Sequence, residues 1–210
     1  GDISGMNEIP DSFFQSLSYD ELTQIEYFHY LPTSKDPAAL PLMKRLLDNP
    51  QGNPLLRLIL LANLETDEHF SLPPEWYQEL YPAVVRILLD PKEEPRLRQH
   101  AVRFLFDGDP TDINGFIKTL SQALNDKETE EVTLSALQLK TGKQYVPLLF
   151  QIADLLKNGK LKIPRPFQLA DMFERNAELM TPFEFARFLR TAFEHNKNVG
   201  DLPKNIVDAI

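Results

Sequence analysis

The residues of this chain that could do chemistry are four histidines, one acidic loop, a scatter of arginines and a single tryptophan. His29, His69, His100 and His195 stand far apart, none within three to five residues of another, so no helical pair is spaced to hold a transition metal. Each reads as a surface or edge residue. Asp107-Gly108-Asp109-Pro110-Thr111-Asp112 superficially resembles a calcium loop. Its register fails: the sixth position, where glycine makes the sharp turn, is Asp112, and the twelfth, where glutamate closes the coordination shell, is Lys118. The segment reads instead as an interhelix turn in which Asp112 caps the next helix. There is no glycine-rich phosphate loop, no G-x-S-x-G and no H-E-x-x-H. With 8 glycines in 210 residues, little backbone is suited to cradling phosphate. With no cysteine, disulfides, thiolate catalysis and cysteine-based zinc sites are all excluded. The expectation is a chain that is not an enzyme, with no catalytic residue, metal or cofactor.

The arginines suggest binding rather than catalysis. Arg57, Arg96, Arg98 and Arg103 fall on neighbouring helices of the pattern described below, with Lys140 and Arg165 further along. On one inner surface they would form a basic stripe in an otherwise acidic protein, a groove for an acidic peptide or protein, since arginine makes bidentate contacts to carboxylates. Arg96 and Arg103 are seven residues apart and so share a helical face. The competing reading is local pairing, for example of Arg96 or Arg98 with Glu93 and Glu94. Trp76, in Pro73-Pro74-Glu75-Trp76-Tyr77, is either an anchor for a partner or a residue packing a helix start against its neighbour. Phe183, Phe185, Phe188 and Phe193 are expected in the core, an unsealed last repeat being the arrangement that would expose them.

Bulk composition narrows the partner. The chain is 42 % hydrophobic and 25 % charged, an ordinary folded-protein balance, and long enough for a substantial core. Its 31 acidic and 22 basic residues give a net charge of −9, which repels phosphate backbones and anionic lipid. A protein partner is therefore expected, and neither nucleic acid nor a membrane. No apolar run approaches the roughly 20 residues of a membrane span. Gly1-Asp2-Ile3-Ser4-Gly5 has no basic or apolar signal region. The expectation is a cytoplasmic protein, with Met6 as the natural start and the preceding residues as a cloning remnant. Asp208-Ala209-Ile210 offers no polar cap, so either the natural chain continues or this end docks on something.

The elements that would position these residues are helices arranged in repeats. Leu40-Pro41-Leu42-Met43-Lys44-Arg45-Leu46-Leu47-Asp48-Asn49-Pro50 matches Tyr81-Pro82-Ala83-Val84-Val85-Arg86-Ile87-Leu88-Leu89-Asp90-Pro91, with the prolines 41 and the aspartates 42 residues apart. A second helix follows each turn, opened by Pro54 and by Pro95, because proline in a first helical turn sacrifices no hydrogen bond. Gly115 to Leu124, Pro147 to Leu156 and Pro182 to Phe193 continue the pattern at spacings of 32 and 35 residues, each with an apolar stripe at i, i+3, i+4 and i+7. Their partners are Glu128 to Leu139 and Phe167 to Leu179. Upstream, Ser18-Tyr19-Asp20-Glu21 matches a capping box and opens a helix expected to run from Tyr19 to Tyr30, ending in Tyr27-Phe28-His29-Tyr30. Glu65 to Pro74 is polar and reads as a long loop, and strand signals are nearly absent.

The proline inside a first helix, the Leu-Leu-Asp stop, the short turn and the basic residue early in the second helix resemble HEAT repeats. Residues 40–64 and 81–106 carry the resemblance best. It is looser over 115–193, where Gly115 replaces the helix proline and Asn125 stands in for the aspartate. The resemblance implies an all-α, right-handed α-solenoid of about five helical hairpins, with a 1–35 N-terminal cap and repeats over 36–70, 71–109, 110–142, 143–180 and 181–210 in one domain. It implies second helices lining a concave face, and a protein-binding scaffold or adaptor. A structural spacer in a larger protein is the alternative. HEAT-like folds also include glycosylases that excise alkylated bases from DNA; Trp76 and Asp171 are candidates for that role, which the net charge disfavours.

Overall fold

The computed structural model describes residues 4–24, 30–34, 36–65, 71–161, 172 and 175–195. The chain is all-helical, with no strand among the described residues. It divides into two compact units, Gly1–Asp112 and Ile113–Ile210. No helix among the described residues is long and apolar enough to cross a membrane.

In the first unit the regular helices are α1 (Asp11–Gln15), α2 (Tyr19–Gln24), α3 (Ala39–Asp48), α4 (Pro54–Leu64), α5 (Pro74–Leu89) and α6 (Pro95–Asp107). The starts of α4 and α6 follow from local chemistry. Pro54 and Pro95 each occupy the first helical position, and the residue before each accepts a backbone amide: Asn53 from Leu55, Glu94 from Leu97. The matched prolines of the first helices differ in setting. Pro41 lies in the first turn of α3, whereas Pro82 lies in the middle of the sixteen-residue α5 on its solvent side, where water can serve the carbonyl that proline leaves without a donor.

Buried residues follow the expected stripes. In α3 they are Ala39, Leu42, Met43, Leu46 and Leu47, and in α5 Tyr77, Leu80, Ala83, Val84, Ile87 and Leu88. Helix α3 packs on α5, α5 on α6, and α4 on α6. Cross-links give the direction. Lys44 meets Glu79 and Asp48 meets Arg86, so α3 and α5 run the same way. Arg57 meets Glu93 ahead of α6, and Glu65 past the end of α4 meets His100 and Arg103, so α4 and α6 do too. Within this unit the hairpin α3–α4 is stacked on the hairpin α5–α6 in parallel.

The N-terminal segment closes over the first hairpin. Ser18 and Glu21 form the expected reciprocal box: the Ser18 amide donates to Glu21 Oε2 at 2.8 Å and the Glu21 amide to Ser18 Oγ at 3.3 Å. The Ser18 backbone amide, and then its hydroxyl, hold the Glu21 carboxyl below the usual glutamate range. Tyr27, Phe28 and His29 of the helix expected up to Tyr30 lie outside the described residues. Asn53 is the anchor of this closure. Its Nδ2 donates to the carbonyls of Phe14 and Leu17, both at 3.0 Å, while its Oδ1 caps α4. Asn53→Ala removes one cap and two donors to carbonyls near the core, and should lower stability by about 2 kcal/mol. Asn53→Asp keeps the cap and loses the donors, so urea unfolding should place it between the two.

In the second unit the described helices include α7 (Ile113–Leu124), α8 (Glu130–Leu137), α9 (Val146–Lys157) and α10 (Pro182–His195). Helix α7 packs on α8 and α9, and α9 on α10. Thr129, fully buried, closes the α7–α8 turn by donating to the Ala123 carbonyl at 2.8 Å. Asn176 donates to the carbonyls of Met172 and Lys140 and accepts the Gly142 amide, tying the α8–α9 loop to the segment before α10. Thr181 and Glu184 form a second reciprocal capping box at the start of α10. Phe188 is buried and meets Phe150 edge-on, but Phe183 is 77 % exposed, against the expectation of a core residue. Phe183 sits in the first turn of α10, about 140° around the helix from Phe188, and so faces away from α9. The Phe193 side chain and most of Phe167 to Leu179 lie outside the described residues.

Candidate functional site

The four arginines of the expected basic stripe that lie in the first unit divide by burial. Arg57 and Arg98 are buried, at 3 % and 4 % exposure. They are equivalent: each is the fourth residue of a second helix counted from its opening proline, on the face that also carries Leu60 and Leu61 or Ala101 and Val102. Arg57 Nη1 donates to both Glu93 carboxylate oxygens, at 2.7 and 2.8 Å. Arg98 Nε donates to the Leu88 carbonyl at 2.9 Å, satisfying an acceptor that the end of α5 leaves without an intrahelical partner. Glu93 thus pairs with the arginine of the preceding hairpin, rather than with Arg96 or Arg98 nearby in sequence. The signal was present in the sequence. An arginine whose i+3 and i+4 neighbours are apolar lies on the inner face of an amphipathic helix.

Arg96 and Arg103 are the members of the stripe in this unit that reach solvent. With Gln99 and His100 between them they mark the outward side of α6. Arg103, about half exposed, lies 3.7 Å from Glu65 Oε1, and His100 Nδ1 pairs with the same oxygen. Trp76 is half-buried in the first turn of α5. Lys140 is half-buried in the second unit, its carbonyl taken by Asn176. Arg165, Asp171, His29 and His69 lie outside the described residues.

A cleft of about 420 Å³ opens in the first unit between the α3–α4 turn and the α5–α6 turn. Leu47, Val85 and Leu89 supply apolar wall, and Leu89 is 38 % exposed. Two internal ion pairs cross its charged lining, Arg57 with Glu93 and Arg86 with Asp48. Asp90 is the fifth charged lining residue, its Oδ1 accepting the Lys92 amide. Three carboxylates against two guanidiniums leave the cleft one negative charge. Arg57 Nε, in its wall, is buried and has no hydrogen-bond acceptor.

The Asp107–Asp112 segment, expected to be an interhelix turn, is one. Gly108 follows α6 in extended backbone, and α7 begins directly after Asp112. No group of three metal-ligating side chains occurs among the described residues. Tyr81 in the same unit is half-buried with its hydroxyl turned out of solvent: desolvation, with the Asp112 carboxylate adding to it, pushes its phenol above the usual tyrosine range. The chain matches no protein-family model, no curated protein and no solved structure.

Proposed function

We propose that the chain is a non-enzymatic scaffold or adaptor, a HEAT-like right-handed solenoid of about five hairpins that grips a partner protein along the surface of its second helices. The observation that carries this reading is the parallel stacking of α3–α4 on α5–α6, which sets α4 beside α6 and leaves Arg96 and Arg103 on the open side. Two exposed arginines on one helical face favour an acidic segment of the partner. The net charge of −9 argues against the phosphate backbone as their target.

The test reverses the two exposed charges. Arg98 is unsuited to it, because a buried glutamate there would report on folding. Wild type should bind a fluorescein-labelled peptide of alternating glutamate and leucine, with affinity falling as salt rises. Arg96→Glu/Arg103→Glu should weaken that binding at least tenfold while leaving the circular dichroism melt unchanged. Equal binding by the double variant would remove the stripe from the function. A spacer role within a larger protein is the second reading, favoured by Phe183, whose ring stands in solvent on the second unit.

A further inference from the structure

We infer that the cleft between the α3–α4 and α5–α6 turns is a second binding site, for a partner's extended peptide that carries a basic residue next to an aliphatic one. Three features of the cleft select that occupant together. Its apolar wall of Leu47, Val85 and Leu89 is open to solvent at Leu89, the C-terminal residue of α5, where an aliphatic side chain gains by burial. Its two guanidiniums are already held by Glu93 and Asp48, so the net charge left over is the negative one, and a cation is the complementary group. Arg57 Nε is a buried donor with no acceptor, a costly state that a peptide carbonyl relieves as the guanidinium tilts toward the cleft. A bare cation supplies neither the carbonyl nor the apolar contact. An acidic segment meets the like charge of Asp90 and would have to displace Glu93 from Arg57.

A volume of about 420 Å³ suits one or two side chains with their backbone, so the site recognises a short motif rather than a broad surface. The charge preference is opposite to that proposed for Arg96 and Arg103, so the two sites can be tested separately. The probe is an N-acetylated, C-amidated fluorescent hexapeptide of alternating leucine and arginine. Saturable binding is expected, with amide-resonance shifts confined to residues 47–50, 57 and 83–93. Leu89→Lys, at an exposed position, should weaken it at least tenfold by removing apolar wall and cancelling the net charge. Asp90→Asn, in a turn and harmless to the core, should weaken it about threefold. Neither variant should alter binding of the glutamate–leucine peptide, and Arg96→Glu/Arg103→Glu should not weaken binding of the arginine–leucine peptide. Absence of saturable binding, equal binding by both cleft variants, shifts elsewhere in the chain, or equal affinity for an all-arginine hexapeptide would each overturn the assignment.

Discussion

Arg57→Met is expected to lower the unfolding free energy of the Gly1–Asp112 unit by about 3–5 kcal/mol, the range for removing one partner of a buried ion pair. The reason is what it leaves behind. The side chains of Arg57 and Glu93 are 4 % and 10 % exposed, and both Glu93 oxygens are bound by Arg57 Nη1. Without the guanidinium, a carboxylate stays in a wall that water barely reaches. The pair also joins consecutive hairpins, so its loss loosens the packing of α4 on α6. The double variant Arg57→Met/Glu93→Leu should recover most of the loss, because apolar residues of similar volume often replace a buried pair without net cost. Trp76 is the only tryptophan and lies in this unit, so its fluorescence during urea unfolding reports the transition. A single variant costing under about 1 kcal/mol would show the pair to be solvated rather than buried.

Gly108→Ala should destabilise the same unit by about 3 kcal/mol, at the top of the range for overpacking. The backbone at Gly108 is extended, with φ −131° and ψ −179°, so any residue could adopt it. The obstacle is space. A Cβ there would lie 2.4 Å from Tyr77 Cδ2 and 2.6 Å from its Cγ and Cε2. The ring cannot step aside, since it is 2 % exposed, stacked on Phe104 at 5.2 Å, and held by its hydroxyl, which donates to the Leu105 carbonyl at 2.8 Å. Tyr77→Leu should itself destabilise, yet in that background Gly108→Ala should cost far less than in the wild type. Additive costs in this cycle would mean that the glycine acts through something other than the ring.

Much of the fold was legible because it rests on local rules. Pro54 and Pro95 open helices wherever a first turn needs no amide, and Ser18 with Glu21 makes its box from residues three apart. The second box, Thr181 with Glu184, obeys the same rule and was equally readable. The candidate sites were far less legible. The spacing of the arginines along α4 and α6 by itself serves an open stripe or a buried clamp; the apolar neighbours of Arg57 and Arg98 mark them as inward, but not which partner from another hairpin they meet. Phe183 shows the limit in reverse. Its helix has an apolar stripe, but only the position of α9 decides which aromatics are covered.

By itself, then, the sequence determined the helical class, the paired helices with their opening prolines, and a charge balance unfriendly to phosphate, all of which depend on residues within a few turns of one another or on composition alone. The tertiary structure decided that Arg57 reaches 36 residues along to Glu93, that Arg98 closes the end of α5, that Arg96 and Arg103 reach solvent, and that two turns far apart in the chain frame a cleft. Burial and pairing of a charge are properties of the whole packed surface around it, and periodicity along one helix carries no record of what the next helix brings.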